Sequence, residues 1–215
     1  RCARLLVHTP ADLNRLKSIG LVDNVAIFPH GVLDCALPPK NGGGGLLIAS
    51  YGFFLPPKGL LELIDAVALL RDQGVNIRLR MVNAAYPIPE SHDLIETAKK
   101  KIAQKTLQLY VEMITDYLTD DESLALLSDA DLIVFPHQIT GESSSAAVRY
   151  GLASGRPVAV TPLPIFDDVS TAVFRLPGTT VGDMAKGIAD IAQAIKNDAP
   201  EIRRNAEQAE RWRAA

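Results

Sequence analysis

Short apolar runs alternate along the chain with longer stretches in which apolar residues return every three or four positions. The runs at 4–8, 24–29, 45–50, 77–83, 107–112, 132–135, 157–160 and 172–176 predict strands. Between and after them, the patterns at 11–18, 60–73, 91–104, 121–128, 144–153, 183–196 and 200–213 predict helices. The segment 60–73 is the clearest, with Leu60, Leu61, Leu63, Ile64, Val67 and Leu70 on one helical stripe. Leu132 to Val134 and Val158 to Val160 are apolar throughout, without alternation. Strands of that kind are buried on both faces, as in a parallel sheet covered by helices. The expected fold class is α/β, a doubly wound, mostly parallel Rossmann-like sheet.

One break interrupts this rhythm. Pro38, Pro39, Lys40 and Asn41 run into glycines 42–45, which predicts a boundary. Residues 1–40 are then the end of a preceding domain or a crossover segment, and 41–215 a Rossmann-like domain. The glycines precede a strand, whereas a dinucleotide fingerprint follows one and opens a helix. The chain opens on RCARLLVHTP without an initiator Met, so it is expected to be a fragment.

Composition narrows the class of partner. With 215 residues, 47% of them apolar and 22% charged, the chain suits an ordinary globular protein with a sizeable core. A net charge of −3 gives no reason to expect nucleic acid. Cys2 and Cys35 have no metal-ligand spacing; free thiols are favoured over a bridge between them, which stays open. No apolar run approaches the ~18 residues that suggest a transmembrane segment.

In an open parallel sheet, ligands gather beyond the carboxyl ends of the strands. Three such loops are unusual. The first, YGFFLPPKG at 51–59, has Gly52 for a sharp turn, Pro56 and Pro57 to stiffen it, and Lys58 where a helix starts. A lysine there opposes the helix dipole unless an anion lies between them; an exposed loop lysine is the plainer reading.

The second lies in TGESSSAAVRYGLASGRPV at 140–158. Glu142 and Ser143, Ser144 and Ser145 stand at an expected helix start, where serines cap and free N–H groups bind anions. Capping and binding do not exclude each other. Ala146, Ala147, Gly151 and Ala153 are small enough to bring that helix close to the sheet. A serine nucleophile fits poorly, because GESSS lacks the final glycine of a nucleophile elbow and the loop from Phe135 is long. His137 is near in sequence, which does not make a triad.

The third, EMITDYLT at 112–119, could pack around a flat ring. Asp120 or Asp121 beyond it is read as an N-cap. Asn83 and Tyr86, in VNAAYP, sit at another strand end as crevice or turn residues.

Taken in order, NVAIFPHGVL, SYGFFLPPKGLLELIDAVALL and LLSDADLIVFPHQITGESSSAAVRYGLASGRPVAVT resemble the C-terminal half of a GT-B glycosyltransferase of the large retaining family four. They are most similar to a bacterial subgroup associated with surface-polysaccharide assembly. The resemblance implies a nucleoside diphosphate sugar as donor substrate, no separate cofactor, and a glycan acceptor held mostly by a preceding N-terminal domain. It implies that Lys58 contacts the donor phosphates and that Glu142, the catalytic candidate, engages the donor sugar. Gly141 and Ser143 to Ser145 would hold the diphosphate or sugar, and the loop from Thr115 to Leu118 would lie beside the base. Gly52, Phe53, Asn83 and Tyr150 complete the implied donor-binding set.

Two positions depart from the family pattern. Phe53 stands where the family carries an arginine, and Tyr150 replaces a second glutamate eight residues beyond the first. Arg149 is a candidate for the lost positive charge, though one step along a helix turns its side chain about 100° away. No metal is implied: Asp129 and Asp131 precede a buried strand, where Asp129 is read as a cap or turn. The implied reaction is hexosyl transfer with retention to a glycan hydroxyl, in the cytoplasm or at the inner face of a membrane. The isolated chain would bind donor without efficient transfer. The alternatives are a non-catalytic binding or assembly domain of the same fold, and a sugar-nucleotide epimerase.

Overall fold

A computed structural model describes residues 3–21, 23–34 and 44–213. Cys2, Cys35 and the expected boundary at 38–43 lie outside the described residues. The elements follow in the order β1 (Leu5–Val7), α1 (Pro10–Ser18), β2 (Val25–Ile27), β3 (Leu46–Phe53), α2 (Leu60–Asp72), β4 (Ile77–Ala84), α3 (Pro89–Gln104) and β5 (Val111–Ile114). Then come α4 (Asp120–Ser128), β6 (Leu132–Phe135), α5 (Ala147–Ala153), β7 (Val158–Val160), β8 (Phe174–Arg175), α6 (Val181–Lys196) and α7 (Pro200–Arg213). Two 3-10 turns, Pro56–Lys58 and Pro164–Val169, punctuate the loops.

β1 and β2 pair in parallel as a separate two-stranded sheet. The remaining strands form one parallel sheet in the order β5-β4-β3-β6-β7-β8. Strand order reverses between β3 and β6, which opens a crevice at their carboxyl ends. Because successive strand residues point to opposite faces, β3 sends Ile48 into one core, and Leu47 and Ala49 into the other. The first core is closed by Leu63, Ile64 and Val67 of α2, Ile95 and Ala98 of α3, and Met184 and Ile188 of α6. The second is closed by Leu127 of α4, Val148 and Leu152 of α5, and Ala209 of α7. This is the doubly wound, mostly parallel α/β architecture expected from the pattern.

Several local expectations shift. β3 runs on to Phe53, so Gly52 lies within the strand, paired with Asn83, where its φ of 127° suits glycine alone. β5 begins at Val111 instead of Leu107. Thr106 turns left-handed at φ 55°, and Leu107 plugs the core from a turn closed by Tyr110 N–H donating to Leu107 O. The N-cap of α4 is Thr119, which forms a reciprocal capping box with Glu122; Asp120 and Asp121 sit in the first turn instead. α5 starts at Ala147, three residues later than the serines suggest, and its N-cap Ala146 makes no side-chain cap. Neither Ser143 nor Ser144 caps it. The hydroxyl of Ser144 instead donates to Asp168 Oδ2 at 3.1 Å.

Asp129 ends α4 and pairs with Arg80 at 3.0 Å, while Asp131 Oδ2 accepts from Leu47 N–H at 2.8 Å. Both carboxylates bind elements together. No helix among the described residues is long and apolar enough to cross a membrane.

Candidate functional site

The loop after β3 is built around a close approach that only glycine permits. Gly59 adopts φ 66°, and a Cβ there would stand 1.8 Å from Pro136 O. Gln138 N–H also donates to Pro57 O at 2.8 Å. The 3-10 turn is thus clamped against the loop that leaves β6. That clamp fixes Lys58 beside two residues from the far side of the crevice. Its ammonium donates to Glu142 Oε2 at 2.9 Å and to His137 Nε2 at 3.2 Å.

The Lys58 side chain is 15% exposed and that of Glu142 47%, so the pair sits at the crevice floor and opens outward. His137 is 2% exposed, and its Nδ1 has no partner among the described residues. Burial first, then the neighbouring ammonium, push its pKa down to about 3. It is a neutral acceptor that holds Lys58, unsuited to take a proton as a base near neutral pH.

At this end, Lys58, Glu142, Ser144, Ser145, Ala146 and Ala147 line a cavity of about 360 Å³. Its other end is apolar and aromatic, with Tyr51, Gly52, Phe53, Tyr117, Leu118 and Tyr150. Val82, Ala84, Asp116 and Ser123 complete the wall. Tyr51 and Tyr150 stack with centroids 4.5 Å apart, and Tyr150 Oη donates to Asp120 Oδ1 at 2.7 Å. Burial, then the bond to Asp120, raises the Tyr150 pKa; burial also raises that of Tyr51. Both phenols stay protonated donors. Small residues let α5 support this wall: a Cβ on Gly151 would lie 2.8 Å from the Phe135 ring.

The cavity therefore brings together Gly52, Phe53, Lys58, Leu118, Glu142, Ser144, Ser145 and Tyr150 of the residues singled out in the sequence. Asn83 is buried at the strand end, where its Oδ1 accepts from Ser50 Oγ at 2.6 Å. Thr115 contributes its carbonyl to Ala85 N–H and does not line the cavity. Gly141 and Ser143 face a second cavity of about 620 Å³, which Asp167, Asp168, Trp212 and residues 8–12 help to line. Glu142 borders both.

Arg149 supplies no charge to the first cavity. It is buried against Asp168 at 2.5 Å, with its guanidinium over Trp212. Tyr51, Asp116 and Tyr117 line the site from the candidate loops 51–59 and 112–119 without having been named individually, and Ser123 lines it from α4, which the sequence did not single out. The signal available was the cluster of aromatic and polar residues where apolar strands end, in YGFF and TDY.

No protein-family model matches the chain, and no curated protein matches it. Solved structures do. Sucrose-phosphate synthase from Thermosynechococcus elongatus superposes over 99% of this chain and 54% of its own, with 16% identity and a TM-score of 0.75. HepE from Anabaena, solved in complex with UDP and glucose, superposes over 99% of this chain and 58% of its own, with 15% identity and a TM-score of 0.73. The C-terminal domain of a glycosyl transferase group 1 family protein from Francisella tularensis covers 78% of this chain and 83% of its own, with 15% identity and a TM-score of 0.62. The chain spans somewhat more than half the length of the first two. What it shares with these GT-B glycosyltransferases is a Rossmann-like α/β fold, a mostly parallel sheet flanked by helices.

Proposed function

We propose that this chain is the donor-binding half of a retaining glycosyltransferase. It would take a nucleoside diphosphate sugar and pass the sugar to a glycan hydroxyl, in bacterial surface-polysaccharide synthesis. The supporting observation is the two-ended cavity, aromatic at one end and carrying Lys58 and Glu142 at the other. A nucleoside diphosphate sugar has the same division, with a flat apolar base, an anionic diphosphate and a polyhydroxyl group. In this reading residues 41–215 form the donor domain and 1–40 lead out of an acceptor domain on the cytoplasmic side.

Without ligand, the Lys58 ammonium is neutralised by Glu142. A diphosphate arriving in the cavity replaces that carboxylate as the partner of Lys58. Glu142 is then free to accept hydrogen bonds from hydroxyls of the donor sugar. As the glycosidic bond breaks, negative charge grows on the leaving diphosphate, and a fixed ammonium stabilises that growth. His137 remains neutral and keeps the ammonium aimed. Glu142 also borders the second cavity, so an acceptor hydroxyl entering from there meets the same carboxylate.

Calorimetric titration of the full-length protein with UDP-, ADP- and GDP-sugars tests the donor assignment. One of these should bind, and Lys58→Ala should weaken it by roughly 10- to 100-fold, the loss of a charged hydrogen-bond donor. Unchanged binding in Lys58→Ala rejects the site. Product of inverted configuration at the anomeric carbon, read by NMR, rejects retention.

A further inference from the structure

The loop that carries Glu142 is lightly fastened. Ile139 is 89% exposed, Gly141, Glu142 and Ser143 are exposed as well, and α5 begins after them without a side-chain cap. Among the described residues, two side-chain hydrogen bonds tie residues 139–146 to other elements. One is Lys58 to Glu142; in the other, Ser144 Oγ donates to Asp168 Oδ2 at 3.1 Å. On the reading proposed above, an arriving diphosphate takes Lys58 away from Glu142. The first tie is then lost just when Glu142 has to meet the sugar, and the tie to Asp168 remains.

Asp168 is mounted to carry that task. It belongs to the 3-10 turn Pro164–Val169, whose Ile165, Phe166 and Val169 are buried in the second core. Its side chain is 6% exposed and is held at 2.5 Å by that of Arg149, 4% exposed. As a stabilising device the pair is poor. Taking two charges out of water is costly unless their remaining polar atoms are satisfied. Here a single N–H joins the partners where a forked, two-bond contact is the stronger form. Arg149 Nε and Nη1 and Asp168 Oδ1 have no partner among the described residues. Apolar side chains of similar size would fill this space without that cost. What they could not supply is an acceptor for Ser144. Ser144 lines the first cavity and Asp168 the second, so the tie runs through the wall between them.

We infer that Asp168 is a positioning residue: through Ser144 it holds the Glu142 loop in place while Lys58 is engaged with the diphosphate. Arg149 is the counter-charge that lets the carboxylate be buried there. The inference rests on the donor-site reading above and adds to it two residues that do not line the donor cavity. Their loss is therefore felt through the sugar of the donor and not through its nucleotide.

The test is titration of the full-length protein with UDP-, ADP- and GDP-sugars, each beside its free nucleoside diphosphate, in two double variants. Arg149→Met with Asp168→Leu removes both charges and the acceptor. Arg149→Met with Asp168→Asn removes both charges and keeps a carbonyl acceptor for Ser144. Neither leaves a buried charge unpaired. The quantity read is the dissociation constant of the nucleotide sugar divided by that of its nucleotide. In the leucine variant it should rise about tenfold, the loss of roughly one hydrogen bond to a carboxylate. In the asparagine variant it should keep the wild-type value. Ser144→Ala breaks the same bond with the ion pair intact and should raise the ratio alike, which decides the question if the leucine variant does not fold. A ratio unchanged in the leucine variant and in Ser144→Ala, or raised equally in both double variants, overturns the positioning role and keeps the donor site. A wild-type protein that binds no nucleotide sugar overturns both.

Discussion

An ordinary imidazole takes up a proton as the pH falls through 6.5, whereas His137 in the folded chain does so only near 3. The unfolded chain therefore binds a proton that the native state refuses throughout that interval. Stability contributed by neutral His137 is complete above pH 6.5 and is lost as the pH falls from 6.5 towards 3. His137→Gln removes the titration and keeps an acceptor for Lys58. In urea unfolding from pH 7 to pH 4, the variant should lose less stability than the wild type, by up to about 3 kcal/mol at pH 4. Parallel acid limbs would mean that the imidazole is not held neutral. The sequence shows His137 only as a histidine near serines. Its role comes from the Lys58 ammonium, 79 positions away, and from burial, neither of which a local pattern carries.

The turn that presents Lys58 depends on one backbone position. Gly59→Ala meets both a left-handed φ and Pro136 O at 1.8 Å, a rigid backbone atom that cannot step aside. Its cost should be roughly 3 kcal/mol or more in thermal unfolding, against about 1 kcal/mol for Gly74→Ala, which shares the positive φ but has open space. Equal costs would show that the clamp between Pro57 and Gln138 is not tight. Element positions were largely legible because apolar spacing is itself the cause of burial. The clearest stripe, at α2, is also the element whose Leu63, Ile64 and Val67 are completely buried. The start of α5 was not legible. Serines ordinarily cap, but Ser144 is drawn away by Asp168, which anchors the buried Arg149 under Trp212. The start of β5 was missed for a similar reason: Leu107 is apolar because a turn buries it, not because a strand does.

At the scale of the whole molecule, alternation of apolar runs and helical stripes was enough to imply a covered parallel sheet. It could not supply the strand order, and the strand order makes the cavity. The aromatic end assembles residues near positions 52, 83, 117 and 150, which meet only because β3 is flanked by β4 on one side and β6 on the other. These two flanks are unequal. β3 pairs with β4 over eight positions, from Leu46↔Ile77 to Phe53↔Ala84. It pairs with β6 at only Ile48↔Leu132 and Ala49↔Ile133, reinforced by Asp131 bonded to Leu47 across 84 residues. Such a junction is expected to form late, because loop-closure entropy opposes it before its contacts are made. In stopped-flow refolding with a fluorescent nucleotide present, ligand capture should therefore coincide with the slowest phase; capture in an earlier phase would refute that order. On the donor-site proposal, a nascent chain would accordingly acquire most of its secondary structure before it could hold a nucleotide, and the last join in the sheet would be the event that completes the cavity.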